Sequence, residues 1–173
     1  MPYTELLRVT VLLTGAEATA LAAVTAVAAN RHDDTTTIAV AAAWWLVALA
    51  IGFWLGRPSR AAEGVRDALA RARTATSLPP DPPSRIALAR LWPIGVTAVA
   101  AGVLGVFFPG VAAVAAGYAL LVSLGWHTRE AAVLAIEQRD GVRFYVVPNS
   151  ALRPIQLVRT PGLQSDLLSQ EAP

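Results

Sequence analysis

Between Thr37 and Gly56 the chain runs for twenty residues without one charged side chain. A helix of about 20 apolar residues spans the hydrocarbon core of a bilayer, and a helix that is apolar all round belongs in lipid or deep inside a large protein. Three further blocks share this character. One runs from about Leu6 to Ala29 with only Arg8 and Glu17 as ionisable groups. The others run from about Leu91 to Phe108 and from Val111 to Trp126 or His127. Pro109-Gly110 between them reads as a tight turn joining antiparallel helices.

The fold expected is therefore integral-membrane and mainly α. Four transmembrane helices, over about 6–29, 37–56, 91–108 and 111–127, make a domain of residues 1–128. A small cytoplasmic β-hairpin or meander module over 129–162 and a flexible tail over 163–173 follow it. Composition agrees. Only 15% of the 173 residues are charged, against about a quarter in soluble domains, and the mean hydropathy is +0.50. The small-residue triplets Ala18-Thr19-Ala20 and Ala26-Val27-Ala28 resemble signal-peptidase sites. The N-terminal region carries a single Arg with Glu5, however, and Glu17 interrupts the apolar run, so the first block is read as a retained helix.

The basic residues orient the helices. All fourteen are arginine. The connection between helices 2 and 3 holds Arg57, Arg60, Arg66, Arg71, Arg73, Arg85 and Arg90; Arg8 precedes the first helix core; Arg129, Arg139, Arg143, Arg153 and Arg159 follow the fourth. Only Arg31 lies on the other side. Thirteen against one satisfies the positive-inside rule and places both termini in the cytoplasm of a cell (inner) membrane. The arginine-for-lysine and alanine-rich usage points to a bacterial source of high GC content.

Within the 57–90 loop, Ala62, Val65, Leu69 and Ala72 recur at helical spacing, so an amphipathic helix is expected over 59–73. Ser59 is its N-cap, and the pairs Glu63–Arg66 and Asp67–Arg71 support it. Such a helix either lies on an anionic leaflet or is a solvated loop segment. The run around Leu78-Pro79-Pro80-Asp81-Pro82-Pro83, a spacer over 78–84, reads as polyproline II. Beyond Trp126, Val133–Gln138 and Val142–Val147 flank Arg139-Asp140-Gly141, and Asp-Gly between β-formers is a hairpin signal. Ile155–Arg159 adds a third strand. The rival is a helix through Glu130–Arg139, which abolishes the hairpin. A meander this small needs the helix ends, the 59–73 segment or a second copy to pack on.

One residue stands out. Glu17 lies near the middle of helix 1, where an ionised carboxylate costs about 2.5–3.5 kcal/mol on insertion scales. Thr10, Thr14 and Thr25 share its side of the helix. Trp44, Trp45, Thr97 and Tyr118 match its depth, and tryptophan away from the interfacial belt implies a buried acceptor for its N–H. Glu17 is expected either as that acceptor or as a protonated donor, and Glu17, Thr14, Trp44, Trp45 and Tyr118 form a candidate intramembrane polar site. Its two readings are a hydrogen-bonded link between helices and the coupling carboxylate of a small carrier. Gly95, Ala98, Gly102 and Gly105 on one helix, and Ala112, Ala116, Ala119 and Ser123 on the next, form small-residue stripes that permit close approach. The expected approach is between helices 3 and 4 themselves, with a dimer as the alternative.

Little else carries chemistry. Without cysteine or lysine, thiolate metal sites, Schiff bases and the P-loop lysine are excluded. His32-Asp33-Asp34 is a poor ligand set, His127 beside Trp126 reads as interfacial, and Ser123 and Ser150 lack His–Asp partners. No metal, cofactor or nucleic acid is implied. The function expected is non-enzymatic: an accessory, scaffold or assembly subunit that meets the lipid bilayer and a membrane-protein partner or a second copy. Arg139, Arg143, Tyr145, Arg153 and Arg159 are its expected cytoplasmic contact surface. A carrier or channel using Glu17 is the alternative.

Overall fold

A computed structural model describes residues 1–70, 72–74, 82–149, 151, 153 and 155–161. Most of the proline-rich spacer, Arg71, Ser150 and the tail from 162 lie outside the described residues. Among the described residues, six helices and three strands follow one another: α1 (Tyr3–Arg31), α2 (Thr35–Leu55), α3 (Pro58–Ala70), β1 (Arg73–Thr74), α4 (Pro83–Phe107), α5 (Pro109–Trp126), α6 (Arg129–Asp140), β2 (Val142–Val146) and β3 (Leu157–Pro161).

Four of the helices are long and apolar enough to cross a membrane, the last running on from α5 into α6. They fit a multi-pass membrane protein. Large apolar side chains on their outer faces stand open, among them Leu46 at 67%, Val99 at 68% and Phe107 at 70% exposure. Patches of that kind are stable in lipid and not in water. Three of them start and stop within a few residues of their expected places, but α4 begins at Pro83, eight residues before the expected start and inside the expected spacer, so Pro93 lies within the helix. The α4–α5 turn needs a local correction too. Pro109 and Gly110 are not the turn; they open α5, with proline in the first turn, and Phe108 alone joins α4 to α5. Proline at that position sacrifices an N–H that no helix would use.

The central pair of the bundle is α1 and α5, with α4 and α2 on its flanks. Small residues make this possible. Ala112 and Ala116 have no exposure and Ala119 and Ala18 almost none, so the α5 stripe packs chiefly on α1 inside the chain rather than on α4 alone. Gly105 meets Ala112 across the α4–α5 turn. Thr10, Thr14 and Thr25 are buried on α1 and return their hydroxyls to the carbonyls of Leu6, Thr10 and Leu21 at 2.8–2.9 Å. Ser123 of α5 donates to the Val11 carbonyl of α1 at 3.2 Å.

Beyond the arginine-rich ends of these helices sits a small module with the larger hydrophobic core. Met1, Tyr3, Leu6 and Leu7 from the start of α1 join Val65 and Leu69 of α3, Ile86 of α4, Val133 of α6, Val142, Phe144 and Val146 of β2, and Leu157 of β3. The apolar face of α3 is therefore occupied by protein. Val65 and Leu69 pack toward α6, which leaves no apolar stripe with which to lie on a leaflet and corrects that reading. The helix also ends at Ala70 rather than reaching residue 73, because Arg73 and Thr74 pair in parallel with Val158 and Arg159 of β3.

The expected hairpin is overturned. Residues 129–140 are helical, and the sheet order is β1-β3-β2, with β2 and β3 antiparallel as expected of the second and third strands. The Asp-Gly pair ends a helix instead of turning a hairpin. Gly141 adopts φ 62°, ψ 32°, the left-handed cap that glycine supplies without strain. The outer edge of β2 is blocked: Glu137 accepts the Phe144 N–H at 2.9 Å and the Met1 carbonyl accepts the Val146 N–H at 3.0 Å. Capping an edge in this way prevents further strand addition.

Candidate functional site

The two sequence-derived sites fare differently. The intramembrane set does not assemble around Glu17. Trp45 donates its indole N–H to the Ala113 carbonyl at 2.9 Å and Trp44 donates to the Val114 carbonyl at 3.2 Å. Both acceptors are backbone groups of α5, so the expected Glu17 acceptor is replaced by carbonyls in its first turns. Tyr118 meets Trp44 edge-on, with ring centroids 5.4 Å apart. Trp44, Trp45 and Tyr118 thus cluster on the α2–α5 side of the bundle.

Glu17 faces elsewhere. It continues the stripe of Leu21 and Val24, whose side chains approach Gly102 and Gly105 of α4. It is half-buried, and among the described residues nothing hydrogen-bonds or ion-pairs with its carboxyl. Thr14 is buried on the neighbouring face and spends its hydroxyl on Thr10. Two apolar grooves open on the bundle. One, of about 320 Å³, is lined by Ala23, Val24, Val27, Ala28, Arg31 and Val106. The other, of about 190 Å³, is lined by Thr36, Thr37, Val40, Trp44 and Val114 among others. Glu17 lines neither.

At the opposite end, the sheet distributes the predicted arginines between its faces. Register puts Tyr145, Val158 and Arg73 in one row across the strands, with Arg143 and Thr160 in the next row on the same side. Arg159 pairs with Phe144 and so belongs to the other face. Arg139 is tied to Asp140 at 2.8 Å. Arg153 is exposed, and its carbonyl accepts a bond from Arg90 at 2.8 Å. Of the five residues expected to act together, Arg143 and Tyr145 share a surface, and Arg73 joins them. Nothing in the spacing could have revealed Arg73, because its place depends on a two-residue parallel pairing with a strand more than eighty positions away.

The module is tied to the bundle by polar links. Arg8 of α1 bonds to Glu130 of α6 through Nη2 at 2.6 Å and Nε at 3.1 Å. Thr128 donates to the Gly56 carbonyl at the end of α2 at 2.7 Å. Arg90 donates to Asn149 Oδ1 at 2.8 Å. Among the described residues no group of three or more His, Asp or Glu side chains is placed to hold a metal ion, and His32, Asp33 and Asp34 serve a helix start in which Asp34 caps α2. No protein-family model, curated protein or solved structure matches the chain.

Proposed function

We propose that the protein is a non-enzymatic accessory or scaffold subunit of a bacterial inner membrane, with both termini cytoplasmic, that contacts a membrane-protein partner or a second copy through its cytoplasmic module. The observation that carries this reading is where the core lies. The buried residues of the bundle are mostly alanine, glycine and threonine, with Leu21 among them, whereas most of the buried leucine, valine, tyrosine and phenylalanine belongs to the module outside it. A packed module of this kind is a rigid platform. One side of its sheet offers Arg73, Arg143 and Tyr145, and arginine and tyrosine are the residues enriched at protein interfaces. Their positive charge suits an acidic surface.

The test uses the full chain in detergent or nanodiscs. A fixed oligomer or a stoichiometric partner, lost in the Arg73→Glu, Arg143→Glu double variant with no change in melting, supports the proposal. A monodisperse monomer without a stoichiometric partner overturns it. The carrier reading has its own measurement. Proton or cation flux in proteoliposomes that Glu17→Gln abolishes would replace the accessory function with transport.

A further inference from the structure

Arg31 is the one arginine that the orientation of the chain does not explain. Thirteen of the fourteen fall in the segments at one end of the helices, as the positive-inside rule requires, and Arg31 stands alone at the other. It closes α1, where a cation suits the carbonyl end of a helix. Its guanidinium is exposed and, among the described residues, has no hydrogen bond or ion pair. The acids beside it supply no counter-ion. Asp34 is committed to Thr37, and Asp33 forms no salt bridge among the described residues.

Arg31 lines the mouth of an apolar groove of about 320 Å³ whose other walls are Ala23, Val24, Val27 and Ala28 of α1 and Val106 of α4. Positions 23, 27 and 31, with 24 and 28 beside them, form a single face of the helix over two turns. The groove therefore follows the helix axis for about 12 Å. Val24 sets its floor against Gly105 of α4, the residue before Val106. Side chains on a helix lean toward its N-terminus, which carries Arg31 back over the groove. Depth completes the picture. Arg31 stands 23 residues after Arg8. At about 1.5 Å per residue that is about 35 Å, against a hydrocarbon core of about 30 Å. With Arg8 and its partner Glu130 at one headgroup layer, Arg31 reaches the other, and the groove beneath it lies in hydrocarbon.

A molecule that fits has an apolar chain along the helix axis and an anion at its end. A free anion gives the apolar walls nothing to bury, and a zwitterionic lipid brings a phosphate already paired with its own ammonium. Arginine, with its fork of donors, is the side chain best matched to a phosphate. We propose that the groove holds an acyl chain of an anionic phospholipid and that Arg31 binds its headgroup phosphate. The inference rests on the membrane reading of the four helices and is independent of the accessory function.

Native mass spectrometry of the full chain in detergent, with phosphatidylglycerol, phosphatidylcholine or inorganic phosphate added, tests this. Phosphatidylglycerol should be retained in preference to phosphatidylcholine, and an excess of inorganic phosphate should not displace it. Arg31→Gln should weaken its retention about fivefold, the usual effect of one basic group at an anionic surface, and leave phosphatidylcholine unaffected. Ala23→Phe fills the groove from an exposed position and should lower retention with Arg31 intact. Arg57→Gln removes an exposed arginine just beyond the end of α2 and should change nothing. Melting in phosphatidylcholine nanodiscs checks that each variant folds; should Arg31→Gln not fold, Ala23→Phe carries the comparison. The proposal is overturned if the wild type holds both lipids equally or phosphate displaces the lipid. It is equally overturned if Arg57→Gln loses as much as Arg31→Gln, or if a folded groove variant binds like the wild type. A dimer that Ala23→Phe dissociates gives the groove to a second copy and overturns it too. Flotation with phosphatidylcholine liposomes tests the membrane reading by itself. A chain that leaves the vesicles overturns both, and one that floats without preferring anionic lipid overturns this inference alone.

Discussion

Trp44 of α2 lies against Gly117 of α5 so closely that a methyl group on Gly117 would overlap the indole nitrogen and the ring atoms beside it. The same indole donates to Val114 and meets the Tyr118 ring edge-on. Glycine at 117 is therefore what allows α2 to dock through a tryptophan pair, since the adjacent Trp45 donates to Ala113 one residue away.

Gly117→Ala should destabilise the protein by about 1–3 kcal/mol, the usual cost of forcing a large side chain out of a packed position. Gly95→Ala is the control, because a side chain at 95 meets nothing within 4 Å; removing a helical glycine there should leave stability unchanged or raised by about 0.4–1 kcal/mol. Unfolding in detergent with tryptophan emission as the signal compares the two. Equal effects would mean that Trp44 is free to turn away from α5.

The four long helices were legible because lipid leaves a simple signature: a run of apolar residues whose length equals the membrane thickness. The α6 segment was not, because two rules share its residues. Asp140-Gly141 supplies the left-handed backbone of a hairpin turn and equally of a helix end. What decided between them was Val133 facing the α3–α6 core without exposure, together with Ala132 and Ile136 packed around it at helical spacing. That is a tertiary preference, invisible in a local pattern. The tryptophan pair misled for a related reason. An indole at mid-helix depth does need an acceptor, but a helical carbonyl keeps a second lone pair beyond its own helix bond, and those of Ala113 and Val114 accept the two indoles, so no acidic side chain is required. The place of Arg143 and Tyr145 on one sheet face followed from strand alternation alone; Arg73 beside them did not.

The position of the hydrophobic core predicts an asymmetric response to truncated side chains. Leu7 is 1% exposed at the start of α1 and belongs to the module core. Leu7→Ala should cost about 2–5 kcal/mol. Val99→Ala on the open face of α4, where the side chain is 68% exposed, should be nearly neutral in lipid. Thermal melts of both variants in nanodiscs check this. If Val99→Ala proves the more damaging, the outer face of α4 is covered by another protein surface rather than by lipid.

Asp34 predicts a pH dependence. Its carboxylate caps α2 by accepting the Thr37 hydroxyl and the Thr37 backbone N–H. These bonds, the hydroxyl first, hold its pKa below the ordinary 3.8. A group with a depressed folded pKa adds stability that is present above its unfolded pKa and lost as pH falls through the folded one. The wild type should therefore lose stability relative to Asp34→Ala as pH drops below about 3.8. Above that window the difference between them should be constant. Melting points of both proteins from pH 2.5 to 6 give the difference curve, and a flat curve would show that the cap contributes nothing through its charge.

The absence of native cysteine makes orientation directly measurable. With thirteen arginines on one side, the short α1–α2 connection should face away from the cytoplasm. A single cysteine at Thr36, at the start of α2, should then react with a membrane-impermeant maleimide on intact cells once any outer barrier is opened. A single cysteine at Arg143, on the exposed side of β2, should react only after the inner membrane is permeabilised. Arg57→Glu with Arg60→Glu tests the physical cause, because the positive-inside rule counts basic residues close to helix ends. Removing these two leaves the arginines of α3, α4 and the module in place, so labelling at both positions should persist. The reverse labelling pattern in the unmodified background would invert the topology and turn the Arg73–Arg143–Tyr145 surface away from any cytoplasmic partner.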